Sequence, residues 1–233
     1  MRMTKNSVPA SILPLSAGAR RRNAAQIMRT ASRGARGKRI VDLCLILMIL
    51  PTIIPVIAVL YVLTRLDGGP GFFGHVRVGK DNRDFRCWKI RTMVPDAEKM
   101  LEEHLAHNPD AAAEWERAFK LKNDPRVTRL GRFLRETSLD ELPQVWNVLR
   151  GDMSLVGPRP VTREELRKYQ GYDWYYLSVR PGITGLWQVS GRNDLTYAER
   201  VRMDMDYVNT RSLLKDMHII LRTACVVMYR TGR

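Results

Sequence analysis

Cysteine is nearly missing: Cys44, Cys87 and Cys225 are the three in 233 residues. The number is odd and the spacing fits no metal motif, so a disulfide-stapled secreted fold is excluded and a reducing compartment fits. Histidine is as sparse. His104 and His107 share a predicted helix face with Glu103, but a zinc site needs further ligands. Acidic residues are absent from positions 1–39, and no second long apolar run follows the one that ends near residue 63. The first absence marks off a separate segment. The second leaves residues 67–233 to be read as one soluble, mixed domain.

What is present is positive charge: 39 Lys and Arg against 24 Asp and Glu give a net +15. Such a balance calls for a polyanionic partner, whether nucleic acid, an anionic membrane surface or a phosphorylated substrate. Ten of the basic side chains lie in residues 1–39. This Ala, Arg, Ser and Gly-rich arm has little to bury and reads as disordered in water, with Ala24 to Ser32 turning helical on a surface. A solubilising tail is the plainer alternative.

Residues 43–63 carry no charged side chain. At about 1.5 Å per residue they make roughly 31 Å of helix, one bilayer core. That length of unbroken apolarity points to a membrane and away from the interior of a small domain. A cleavable signal peptide is not expected, because the preceding arm is long and Thr64-Arg65-Leu66-Asp67 follows where a small-residue cleavage site would stand. Pro51 and Pro55 lie mid-run. Each removes a backbone donor and crowds the carbonyl four residues earlier, which predicts a break between two halves, 40–50 and 56–66. Each half reaches only about 16 Å, half the hydrocarbon thickness. The 20 residues before Ile40 hold eight Lys or Arg and residues 65–84 hold four, so neither flank has a translocated composition. The expectation is a monotopic protein with a basic arm (1–39), a re-entrant helix-break-helix hairpin (40–66) and a cytoplasmic catalytic domain (67–233).

Within that domain the patterning predicts a strand at 85–90 after a Gly-Pro turn, then helices at 97–107, 109–122, 127–135, 139–149, 162–169, 197–209 and 213–229. The fold class is therefore mixed, mainly α with a small β element. The last helix carries apolar residues at 213, 214, 217, 220, 221, 224, 227 and 228. Packing on the core and lying in a membrane interface both explain that stripe. Trp174-Tyr175-Tyr176 allows the same two readings.

The densest run of chemistry is Leu134 to Gln144 followed by Gly151 to Pro160. Ser138 and Glu141 match the S-x-x-E capping box, which puts Asp140 in the first turn of a helix, where the dipole and free amides favour an ionised carboxylate. Acids are common at helix starts for that reason alone, so a structural role stays open. An ionised Asp beside cations is able to attack phosphorus, with the adjacent Glu141 holding Mg2+. Lys89, Arg91, Arg135, Arg159, Arg180 and Arg192 supply the cations. A basic, membrane-attached protein that recruits acidic lipids or nucleic acid would also explain the charge, but not this constellation.

Seven segments, in order, carry a resemblance: Lys38 to Asp42, Arg77-Val78-Gly79, Lys89 to Met93, Asp124 to Thr128, Ser138 to Gln144, Gly151 to Pro160 and Arg180 to Arg192. From Lys38 onward the chain resembles the bacterial sugar transferases, the monotopic phosphoglycosyl transferases, and most of all their exopolysaccharide-priming members. The resemblance implies transfer of galactose 1-phosphate or glucose 1-phosphate from a UDP-sugar to undecaprenyl phosphate at the cytoplasmic face of the bacterial inner membrane. It makes Asp140 the nucleophile on the β-phosphate, Glu141 the Mg2+ ligand, and Lys89, Arg91, Arg135 and the Pro158-Arg159-Pro160 turn the substrate-binding set. The partners it implies are the UDP-sugar, undecaprenyl phosphate and an anionic bilayer, with a homodimer and downstream glycosyltransferases as further candidates and no nucleic acid. The larger members' N-terminal multi-helix region has no counterpart in these residues, and Leu50 stands where some small members have Ser before the proline.

Overall fold

The computed structural model describes residues 34–118, 121–191 and 195–228. The basic arm up to residue 33, with its expected surface helix, and Arg192 lie outside the described residues.

The apolar run forms helix α1, Ala35–Arg65, and here the structure departs from the expected hairpin: the helix continues through Pro51 and Pro55. Spaced four apart, the prolines stack their missing donors on one face, and the rest of the i to i−4 ladder survives. Ile46, Leu50, Ile53, Ile57 and Leu60 recur at helical spacing and pack against the body on both sides of the prolines. The outer face stays bare. Leu47, Met48, Ile54, Val59 and Val62 are exposed.

Both ends of α1 are fastened to the same body. At the start, Lys38 Nζ lies 2.7 Å from Asp216, Ser154 Oγ donates to the buried Asp42 carboxylate at 2.7 Å, and Arg39 Nη2 donates to the Leu149 carbonyl at 3.0 Å. At the finish, Arg91 Nη2 donates to the Thr64 carbonyl at 3.0 Å and Nη1 to Asp67 Oδ2 at 2.9 Å. Tyr61 meets Phe72 there with ring centroids 4.9 Å apart.

Strands β1, Phe72–Val78, and β2, Asp84–Ile90, form an antiparallel hairpin in the register Phe72↔Ile90 to Val78↔Asp84. β1 went unread as a strand because Gly74 interrupts its alternation. The free side of β2 is covered by α5, Gln144–Arg150: the buried Asn147 accepts from Trp88 N at 3.0 Å and donates to the Arg86 carbonyl at 2.7 Å. A second small sheet pairs β3, Ser154–Val156, in parallel with β4, Gly182–Thr184.

The other helices are α2 (Ala97–His107), α3 (Pro109–Ala118), α4 (Arg129–Thr137), α6 (Arg163–Arg167), α7 (Asp173–Leu177), α8 (Tyr197–Thr210) and α9 (Leu213–Met228). The chain is thus mostly helical with a small sheet content, as the patterning implied. α6 and α8 open on complete capping boxes, Thr162 with Glu165 and Thr196 with Glu199. Trp174 and Tyr176 of α7 are buried, so core packing, not an interfacial belt, accounts for that aromatic triplet. On α9, Ile219 joins Val156, Val179, Val189, Tyr207 and Val208 in the core. Most of the stripe read from sequence points the other way: Leu214 is 84% and Leu221 63% exposed.

Candidate active site

Three neighbouring pieces of chain build the site. Strand β2 ends at Ile90, and Lys89 projects on the hairpin face shared with Phe73, His75 and Cys87. Helix α4 is pressed onto the segment after β2, where a Cβ on Gly131 would fall 2.0 Å from the Thr92 carbonyl oxygen. Only glycine allows that approach. Thr128 caps α4 by accepting from Gly131 N at 2.8 Å, and Arg135 Nε donates to Thr92 Oγ1 at 2.9 Å.

The dyad sits on a tighter turn than the sequence suggests. Ser138, in the left-handed region at φ 58, ends α4, and residues Leu139–Glu141 form a single 3-10 turn. The expected Ser138–Glu141 capping box is therefore not made. An N-cap needs extended backbone, which left-handed Ser138 lacks, and α5 instead starts after Pro143 without a side-chain cap. The consequence for Asp140 is burial, at 7% exposure, in place of an open helix start.

Around it the charges converge. Lys89 Nζ lies 3.6 Å from Asp140 Oδ2 and 2.6 Å from Glu141 Oε1, and Arg159 Nη1 lies 3.7 Å from the same Glu141 oxygen. Burial pushes the Asp140 carboxyl above its ordinary range and the Glu141 charge adds to the rise, while Lys89 and Arg135 oppose it. This reverses the direction expected from a helix dipole. Pro158 and Pro160 are buried and hold Arg159 between them at the rim.

Lys89, Arg91, Arg135, Asp140, Glu141, Arg159 and Pro160 all line one cavity of about 1200 Å³. Arg91 differs from the rest of the set. Its Nε donates to the Pro70 carbonyl at 2.6 Å and its other nitrogens to Asp67, Thr64 and Met93, so it clamps the end of α1 to β2. Arg180 is likewise turned to a backbone group, the Gly151 carbonyl at 2.7 Å. The sequence reading missed the far wall, where Arg200 lies 4.8 Å over the Trp187 ring and fully buried Asp204 accepts from Tyr169 Oη at 2.8 Å. An acid at a core position of α8, on the face of Val201 and Val208, was the available signal.

Among the described residues no group of three or more His, Cys, Asp and Glu side chains is placed to hold a metal. A protein-only cage is thereby absent there. Two adjacent carboxylates with room for phosphate oxygens still fit Mg2+, which is commonly held by one or two carboxylates and its substrate.

The bacterial sugar transferase family profile matches residues 33–230. The chain is 52% identical over 195 residues to the UDP-galactose-lipid carrier transferase of Erwinia amylovora and, equally, to the undecaprenyl-phosphate galactose phosphotransferase of Salmonella typhimurium. Each alignment covers 84% of this chain but 41% of the relative, so the chain spans less than half their length. With the exopolysaccharide production protein ExoY of Rhizobium meliloti it is 46% identical over 200 residues, 85% of this chain and 88% of the relative. A profile match along most of its length and this degree of identity show that the chain belongs to the bacterial sugar transferase family.

Proposed function

We propose that the protein transfers a hexose 1-phosphate from a UDP-sugar to undecaprenyl phosphate, giving the diphosphate-linked sugar and UMP, as the priming step of exopolysaccharide synthesis. Relatives named for galactose transfer to a lipid carrier and for exopolysaccharide production support the substrates. The observation that carries the chemistry is the buried Asp140 carboxyl 3.6 Å from Lys89, in a cavity whose wall residue Arg91 is bonded to the end of an apolar helix.

In the first step an Asp140 oxygen attacks the β-phosphorus. The bond from that phosphorus to the bridging oxygen breaks, and its electron pair leaves with UMP. In the second, an oxygen of undecaprenyl phosphate attacks the same phosphorus and the bond to Asp140 breaks, returning the carboxylate. Burial strips water from Asp140, and Lys89 and Arg135 favour its ionised form. Lys89, Arg135 and Arg159 offset the charge of the diphosphate. Glu141 would hold Mg2+, which supplies further neutralisation there.

The acceptor is a lipid, and α1 suits that. A straight crossing by 31 residues, about 46 Å of helix, would carry one end away from the body, yet both ends are bonded to it. This supports a helix held along one face of the membrane, which we take to be the cytoplasmic face of the bacterial inner membrane, where soluble nucleotide sugars are available.

The test is trapping. With labelled UDP-sugar and no acceptor, membranes holding the wild type should release UMP and keep sugar plus one phosphate as a hydroxylamine-sensitive adduct. Asp140→Asn should keep none and lose several orders of magnitude in turnover. Glu141→Gln should regain part of its activity at high Mg2+. An adduct persisting in Asp140→Asn would move the nucleophile elsewhere, and a wild type needing both substrates at once would replace the covalent route with direct transfer.

A further inference from the structure

One group on the cavity wall lies outside every role assigned above. His75 of β1 stands opposite Cys87, two pairs along from Phe73 and Lys89 and so next to them on the same face of the hairpin. Same-face neighbours two pairs along are about 7 Å apart, within reach of long side chains. The His75 side chain lines the cavity that holds Asp140 and Glu141.

Its hydrogen-bonding state is fixed by its neighbour. Arg77 Nη2 lies 3.2 Å from His75 Nδ1, and Arg77 Nη1 is held by Glu165 at 2.8 Å. A guanidinium only donates, so Nδ1 must accept and the ring proton must sit on Nε2. Partial desolvation lowers the pKa of the ring and the charges of Arg77 and Lys89 lower it further, against an opposing rise from Glu165, so the neutral ring is favoured. With its lone pair engaged, the ring is no base. What it offers the cavity is one N–H donor.

The geometry of displacement says what that donor meets. Nucleophile and leaving group lie in line across the phosphorus, so UMP departs on the side away from Asp140. The sugar oxygen is one of the three equatorial substituents, beside the oxygens that cations such as Lys89 hold. A sugar that extends along the flank of the dyad that Lys89 occupies meets the hairpin face bearing His75.

We propose that His75 Nε2 donates a hydrogen bond to a hydroxyl of the transferred sugar and contributes to the choice of sugar. The inference rests on the priming reaction proposed above. The full chain in membranes is assayed for UMP release with UDP-galactose and UDP-glucose. His75→Leu should lower kcat/KM for the preferred donor about five- to tenfold, the size of one neutral hydrogen bond left unpaired. His75→Gln, whose amide also donates, should recover most of that loss, and inhibition by UMP should be unchanged in both. Because His75 is exposed on the hairpin, melting should not shift; His75→Ala replaces the Leu variant if it does. Activity of His75→Leu within twofold of wild type, or equal losses in the Leu and Gln variants, overturns the inference. A parallel change in UMP inhibition also overturns it, by moving the donor to the nucleotide. A wild type that releases no UMP from any UDP-sugar overturns the reaction itself and this inference with it.

Discussion

Asp204 makes the protein's stability depend on pH in a direction opposite to that of an ordinary paired carboxylate. It lies on the inner face of α8, fully buried, with the Tyr169 hydroxyl donating to it at 2.8 Å. Burial lifts its pKa from 3.8 to about 7, and the Tyr169 bond offsets only part of that rise. Because the folded pKa lies above the unfolded one, the folded state holds a proton that the unfolded state has released between about pH 4 and 7. Stability is therefore lost as pH rises through that window. A shift of about three units at about 1.4 kcal/mol each puts the difference between pH 4 and pH 8 at roughly 4 kcal/mol. For a chain of this size that is roughly 8–16 °C in melting temperature.

The perturbation is Asp204→Asn, which keeps an acceptor for Tyr169 and stays neutral at every pH. The assay is thermal unfolding of the detergent-solubilised full chain at pH 5, 6, 7 and 8. Wild type should melt lower at each step up in pH, and the variant should lose most of that slope, whatever its absolute stability. Asp140, whose pKa is also raised, adds a smaller slope of the same sign that survives in Asp204→Asn and vanishes in the double variant with Asp140→Asn. Equal slopes in wild type and Asp204→Asn, or a wild type that gains stability from pH 5 to 8, would refute the reasoning.

Two further outcomes follow from the anchors of α1 and α9. Arg91→Ala leaves the Thr64, Pro70 and Met93 carbonyls and Asp67 without their buried donor, and should cost about 3 kcal/mol in chemical denaturation, with Arg91→Lys recovering less than half because one ammonium cannot span four acceptors. Leu214→Glu with Leu221→Glu should leave folding within about 0.5 kcal/mol, since both side chains are exposed, yet weaken binding to anionic vesicles at least about tenfold; unchanged vesicle binding would restrict α9 to the core contacts made by Ile219.

Period and charge made much of this molecule legible. The 21 uncharged residues at 43–63 announce α1, and the acidic pair between cation-bearing segments announces the dyad. Local signals failed where tertiary contacts decided. Two prolines predict a break in an isolated helix, but Ile46, Leu50, Ile57 and Leu60 bind both halves to one surface. The S/T-x-x-E pattern is honoured at Thr196 and overridden at Ser138, whose left-handed backbone ends α4 just before the dyad. The same turn buries Asp140, so its raised pKa could not be inferred from a helix-start pattern. The outward turn of the α9 stripe was equally hidden, because Asp216, which binds Lys38 and Tyr207, sets that helix's rotation with a polar contact.

The path from bilayer to chemistry is short, and β2 is its axis. Lys89, Arg91 and Thr92 fall within four residues, and each holds a different neighbour. Arg91 grips the end of α1, Thr92 receives Arg135 and the Gly131 turn of α4, and Lys89 holds Glu141 beside Asp140. Asn147 then ties α5, the helix just beyond the dyad, to the open side of the same strand. The start of α1 closes the circuit through Arg39, which caps the last carbonyls of α5. In the reaction proposed above, the carboxylate meets a water-soluble nucleotide and a lipid phosphate in turn, which requires a fixed depth relative to the membrane. Hydrogen bonds at both ends of one apolar helix would set that depth.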